Sequence, residues 1–202
     1  MVRAGRRVFG DHFSLDGVLI SGGLDPDLVR RAARLAGEVE PRAHERFQEL
    51  YAVELSRELE MSEPRAQALP GVHALLTALR QRRDVTLGLL TGNYRRTGAL
   101  KLSCVGIGLD WFALHVWGDQ APTRPALVAH AVRESCGVTP DRVIVIGDTP
   151  RDVECAKANG CRCLAVATGG YAHDDLVQTG ADVVAADLSD PSVLLAMMAS
   201  SQ

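Results

Sequence analysis

Two hydrophobic rhythms alternate along the chain. Short runs rich in β-branched and aliphatic residues predict strands at Val8–Leu15, Val85–Leu90, Ala113–Trp117, Val143–Ile146, Cys163–Ala167 and Asp182–Ala185. Within them VTLGLL and VIVIG are almost uninterrupted apolar stretches, the pattern of central strands covered on both faces. Between these runs the period becomes helical. Residues 71–82 place Val72, Leu75, Leu76 and Leu79 at i, i+3, i+4 and i+7, an inward-facing stripe. Further helices are predicted over 95–106, 123–137, 151–159, 173–179 and 190–199, with Gly160, Gly170 and Gly180 as punctuation. This alternation predicts an α/β fold: a doubly wound, mostly parallel, Rossmann-like sheet with helices on both faces.

One segment breaks the rhythm. Ser21–Ala68 reads as helix throughout, entered at Asp25-Pro26 with Asp25 as cap and Pro26 in the first turn. Gly37 and Pro41 split it into two helices, and Pro64 and Pro70 mark its exit. The expected organisation is therefore a core of residues 1–20 and 69–202, with 21–68 a small helical cap. Such an insertion would sit above the carboxyl ends of the strands, where open α/β sheets keep their sites.

Composition narrows the function classes. With 202 residues and 47% of them hydrophobic, the chain supports a folded core, which excludes a disordered or fibrous protein. Twenty-two basic residues against 25 acidic ones, without a basic tract, give no nucleic-acid footprint. No apolar run reaches the roughly 18 residues of a membrane span and none has the form of a signal peptide, so a cytoplasmic protein with no membrane partner is expected. Five cysteines, at 104, 136, 155, 161 and 163, form no CxxC and no zinc spacing, and read as free thiols. All but two of the basic residues are arginine. The lysines are Lys101 and Lys157, which limits where an ammonium group could act.

Four short stretches follow predicted strands: Ser14-Leu15-Asp16-Gly17, Thr91-Gly92-Asn93, Thr123-Arg124-Pro125, and Gly147 to Asp152 in the order GDTPRD. A parallel sheet would bring them to one edge. Together they offer three carboxylates, hydroxyls, a guanidinium and backbone N–H groups. That inventory suits a hydrated Mg²⁺ beside a phosphate: hard oxygens for the metal, donors and positive charge for the phosphoryl oxygens.

In order and spacing, FSLDGVLI, LGLLTGN, TRP and VIVIGDTPRD resemble the four motifs of the haloacid-dehalogenase-like (HAD) hydrolase superfamily, most closely its small-capped phosphatases of the phosphoglycolate phosphatase type. The resemblance covers nearly all of residues 8–185. It implies a Mg²⁺-dependent phosphatase acting on a small phosphorylated metabolite through an aspartyl phosphate. Asp16 would be the general acid/base, and Asp148 with the backbone carbonyl of Asp16 would ligate the metal, supported by Asp152. Thr91, Gly92 and Asn93 would receive the phosphate, while Arg124, or alternatively Lys101, would neutralise its charge.

The departure is at Ser14, where the motif has its nucleophilic aspartate. A serine hydroxyl without a matched base is a weak nucleophile near neutral pH and brings no charge to a metal. A replacement that traps substrate, a loss of activity and a different catalyst each account for it, and a non-catalytic binding protein on the same fold is the competing reading. Plainer readings stand beside the others. Asp16-Gly17 makes a turn, Thr91 caps a helix, and Asp152 places a favourable charge at a helix start. Lys101 reads as a solvated helix residue and Lys157 as surface. His12, two residues from Ser14, invites a Ser/His pair, but no G-x-S-x-G elbow surrounds the serine.

Overall fold

The structure, a computed structural model, describes residues 1–18, 20, 22–37, 42–61 and 66–199. Its helices are α1 (Val2–Phe9), α2 (Asp25–Leu35), α3 (Ala43–Met61), α4 (Val72–Arg80), α5 (Arg95–Cys104), α6 (Arg124–Glu134), α7 (Pro150–Ala158), α8 (His173–Gln178) and α9 (Ser192–Ala199). Its strands are β1 (Gly88–Leu90), β2 (Leu114–Val116), β3 (Ile144–Gly147), β4 (Arg162–Val166) and β5 (Val183–Ala185). The chain divides into two compact units. One comprises Met1–Gln67, Thr91–Leu109 and Trp117–Pro122; the other comprises Ala68–Leu90, Asp110–Val116 and Thr123–Gln202. This cut differs from the expected one, which joined residues 1–20 to 69–202. By compactness, the amino-terminal residues group with the helical insertion.

The first unit is helical, and its start corrects the sequence reading. Val8–Leu15 is no strand: residues 2–9 form α1 and the rest is turn and irregular chain. Met1, Ala4, Gly5, Val8 and Phe9 recur at helical spacing, with Arg3, Arg6 and Arg7 opposite, so a 3.6-residue period runs beneath the apparent alternation. Gly10, at φ 92°, ends the helix. The chain then turns back so that the Phe13 ring lies on the Gly5 face, where a Cβ would come within 2.1 Å of it. Phe9 and Phe13 stack with centroids 5.3 Å apart, and Phe47 of α3 packs 5.7 Å and 6.3 Å from them. Burying each ring contributes about 1.5–3 kcal/mol. Arg7 pairs with Glu54 of α3 at 3.0 Å, and Arg3 with Glu58, fastening α1 along α3. This core also takes in Ala4, Val29, Tyr51 and Tyr94. The helices predicted within 21–68 are α2 and α3; Pro41 and Pro64 lie outside the described residues.

The second unit holds the strands, all paired in parallel. β1 pairs with β2, and β3, β4 and β5 form a separate sheet in that order. The single sheet of the sequence reading is thus two sheets, and among the described residues no strand joins β1 to β3. The segment expected to add a further strand folded as α1 instead. Among the described residues β4 alone has strand neighbours on both edges, and Cys163, Leu164, Ala165 and Val166 are buried. VIVIG was expected to be covered on both faces, but β3 pairs on one edge and Ile146 is 39% exposed. Alternation along β4 sorts two cores. Leu164 and Val166 pack with Leu75, Leu79, Leu194 and Met197, while Cys163 and Ala165 pack with Val128, Val153, Ala156 and Leu176. Helices therefore cover both faces, α4 and α9 on one side and α6, α7 and α8 on the other.

Candidate active site

The predicted residues fall into two sets, one in each unit, and each set is built by its own local chemistry. In the second unit β3 runs into Asp148 and Thr149, and Thr149 caps α7. Asp152 and Thr149 bond reciprocally: Thr149 Oγ1 accepts from Asp152 N at 3.3 Å, while Asp152 Oδ2 accepts from Thr149 N at 3.1 Å and from Thr149 Oγ1 at 2.8 Å. The other oxygen, Oδ1, accepts from Arg124 Nε at 3.0 Å and Nη2 at 2.7 Å. Arg124 opens α6, whose start is set by Thr123 accepting from Ala126 N at 3.3 Å. Asp152 is buried with both oxygens committed, so the plain capping role and the Arg124 ion pair are present together. Asp148 has no described hydrogen-bond partner, and its Oδ2 lies where a Cβ on Gly169 would be 2.2 Å away.

Among the described residues no three His, Cys, Asp or Glu side chains gather as a metal cluster. The donor set of this unit fits a hydrated Mg²⁺ reached by one direct carboxylate, Asp148, because such ions keep several waters and take few protein ligands. Asp152 is turned away from direct ligation by its four donors.

In the first unit, Ser14–Val18 is a tight turn. Val18 N donates to Leu15 O at 3.0 Å, and Gly17 at φ 74° takes the left-handed position that a type II turn reserves for glycine. Ser14 Oγ donates to Asp16 Oδ2 at 2.6 Å and accepts from Asp16 N at 3.0 Å. The residue at the nucleophile position and the general acid/base position are therefore hydrogen-bonded to each other. His12 is exposed, and no described hydrogen bond links it to Ser14.

Thr91, Asn93 and Lys101 come together in the same unit. Asn93 N and Nδ2 donate to Thr91 Oγ1 at 3.2 Å and 2.6 Å, and Lys101 Nζ donates to Asn93 Oδ1. Lys101, the alternative to Arg124 in the sequence analysis, lies eight positions after Asn93, a little over two helical turns, and reaches back along α5. Gly92 is pressed between two backbone segments: its own Cβ would lie 2.2 Å from Gly23 O, and a Cβ on Gly118 would lie 2.0 Å from Gly92 O.

Asp25 belongs to this arrangement and was missed as a site residue. It does not cap its own helix, whose cap position is Leu24. Its N–H donates to Gly92 O at 2.7 Å, and its Oδ2 accepts from Tyr94 N at 3.2 Å, so it closes the start of α5. No local signal marks this role, because the partner lies 69 residues on. Asp25 is 7% exposed. Burial pushes its carboxyl above the ordinary value of 3.8, while the Lys101 charge and the Tyr94 N–H pull it partly back. A raised folded-state value means that its stabilisation is complete below the unfolded value and is lost as pH rises through the folded one. Asp25→Asn should abolish this component. In urea unfolding across pH 3 to 7, the wild type should lose stability relative to the Asn variant as pH rises, and a pH-independent difference would refute the assignment.

The buried cysteines are chemically quiet. Burial pushes Cys155 up to about 11 and Cys163 up to about 12, so both stay thiols near neutrality, and the cysteine nucleophile class is not supported there.

Comparison with known proteins agrees with the motif reading. Residues 121–191 match the HAD-hydrolase-like family. A probable phosphoglycolate phosphatase of Pseudomonas putida is 35% identical over 158 residues, 72% of this chain and 57% of the relative. The chain spans between 38% and 57% of the length of the first curated relatives it matches. Among solved structures, a hydrolase from Pseudomonas syringae superposes with a TM-score of 0.67 at 21% identity, covering 96% of this chain and 91% of the other. A predicted phosphoglycolate phosphatase from Haemophilus somnus superposes with a TM-score of 0.68 at 19% identity, covering 96% and 89%. At those identities the structures bear on fold alone. No described helix is long and apolar enough to cross a membrane. The matched segment is similar to the HAD-like hydrolases, and over most of its length the chain is similar to a probable phosphoglycolate phosphatase.

Proposed function

We propose that the chain is a Mg²⁺-dependent phosphatase of small phosphomonoesters whose turnover is impaired by Ser14. The observation that carries this reading is the Thr91–Asn93–Lys101 chain of hydroxyl, carboxamide and ammonium groups, a donor set matched to a phosphoryl group. Lys101 supplies the counter-charge there, because the Arg124 guanidinium is engaged by Asp152. Asp25 and the close approach of Gly92 to Gly23 hold the receiving loop in place. Asp16 holds and delivers the proton for the leaving oxygen. Asp148 would hold Mg²⁺, and the ion when bound neutralises phosphoryl charge. Asp152 and Arg124 fix the loop that presents Asp148. The relatives point to 2-phosphoglycolate as the first substrate to try.

The test uses Mg²⁺ binding by calorimetry alongside hydrolysis of 2-phosphoglycolate by the Ser14→Asp variant. Adding Asp148→Ala is expected to remove both the binding heat and the turnover. Mg²⁺ binding unchanged by Asp148→Ala overturns the metal assignment. A second reading, a non-catalytic binding protein, is favoured by one observation: Ser14 occupies the Asp16 carboxylate that the chemistry needs. It predicts phosphate binding without turnover even after Ser14→Asp.

A further inference from the structure

The first unit carries a second cluster of positive charge that none of the hydrolytic assignments uses. A cleft of about 450 Å³ is lined by Arg7 of α1, Arg46, Glu49, Leu50 and Val53 of α3, and Arg96 of α5. Three guanidinium groups thus arrive from three different helices, and their mutual repulsion opposes the packing that the aromatic core imposes. Arg7 is relieved by Glu54. Among the described residues neither Arg46 nor Arg96 has a carboxylate within the 4.0 Å of an ion pair, and the nearby Glu49 pairs with neither.

A second feature lies at the start of α5. α5 begins with Arg95 and Arg96 and has no acidic residue in its first turn. The helix dipole is positive there and the Asp25 carboxylate already answers it at Tyr94 N, but Arg95 and Arg96 add cations that a further anion would offset. A local rule broken on an otherwise well-formed helix is where a binding role is expected. Arg96 also borders an adjoining cavity of about 550 Å³, so a ligand anchored by its phosphate has room for its remainder.

We propose that Arg7, Arg46 and Arg96 form a binding site for the phosphate group of a small ligand, in addition to the residues assigned to hydrolysis. Phosphate fits better than carboxylate because its oxygens can take donors from three directions. A planar carboxylate is satisfied by one bidentate arginine. Glu49 tempers the site, setting a modest affinity.

The experiment titrates the 202-residue chain, without Mg²⁺, with inorganic pyrophosphate and separately with acetate, following binding by calorimetry. The Arg46→Gln/Arg96→Gln double variant should bind pyrophosphate at least about tenfold more weakly, since two charge-assisted contacts are lost. Glu49→Gln should bind it more tightly. Arg133→Gln, an exposed arginine on α6, controls for net charge and should leave binding unchanged, and circular dichroism should confirm that every variant remains folded. Equal weakening by Arg133→Gln, an unchanged double variant, or acetate binding as tight as pyrophosphate would each overturn the proposal. Lys101→Met separates this site from the hydrolytic one: it should weaken turnover in the Ser14→Asp background and spare pyrophosphate binding at the arginine cleft.

Discussion

Ser14→Asp should raise phosphomonoester turnover by at least about a hundredfold, corresponding to roughly 2.7 kcal/mol or more off the barrier. The substitution supplies a carboxylate oxygen to attack phosphorus, and the P–O bond to the leaving group breaks as Asp16 donates its proton to the departing oxygen. Water then hydrolyses the acyl phosphate. The local geometry favours this change. Asp16 N already donates to the side chain at position 14, and the Asp16 carboxylate is freed from the serine hydroxyl it now accepts. Ser14→Asp combined with Asp16→Asn should lose most of the gain on 2-phosphoglycolate, whose alkoxide leaving group needs a proton. It should lose less on 4-nitrophenyl phosphate, whose leaving group does not. Rates that fail to rise in Ser14→Asp while Mg²⁺ still binds would favour the non-catalytic reading. Strong activity in the chain as it stands, lost in Ser14→Ala, would make serine itself the nucleophile.

Asp152→Ala should be the most damaging single change to the second unit, costing about 3–5 kcal/mol by the behaviour of buried ion pairs that lose one partner. Its carboxylate takes four hydrogen bonds, two from Arg124 and two from Thr149. Removal leaves the guanidinium, only 19% exposed, without this partner and opens the α7 cap. Asp152→Asn keeps an acceptor oxygen and should cost less. Urea unfolding measures both, and a loss below about 1 kcal/mol for Asp152→Ala would show that the network is dispensable, since that is the scale of a cap alone.

How much was legible depended on where each signal lay. β1 to β5 and α4 to α9 fall within a few residues of their predicted positions, because apolar runs and helical stripes are local patterns. Val8–Leu15 failed for a local reason too. Phe9, Phe13 and Leu15 would share one face of a strand, but Met1, Ala4, Gly5, Val8 and Phe9 form a helical stripe that begins earlier, and packing against Phe47 decided for it. Asp148 and Asp152 were singled out by their place after a predicted strand, and the Arg124–Asp152 pair joins two residues chosen separately. Lys101 and Asp25 were harder. The first needs α5 to be seen as a rod, and the second has its partner 69 residues away, beyond the reach of any short motif.

The division of the chain also sets an order of assembly. β3, α7, β4, α8 and β5 come from one continuous stretch, 144–185, so each parallel pairing closes a short loop and can form as soon as that stretch exists. The helical unit is stitched from three stretches, the last ending at Pro122. During synthesis α1, α2 and α3 therefore emerge well before Tyr94 can offer its N–H to Asp25 or Trp117 can cover Gly98, and they must wait with their apolar faces open. Chaperone dependence and aggregation in the nascent chain should accordingly concentrate in its first half rather than in its strands.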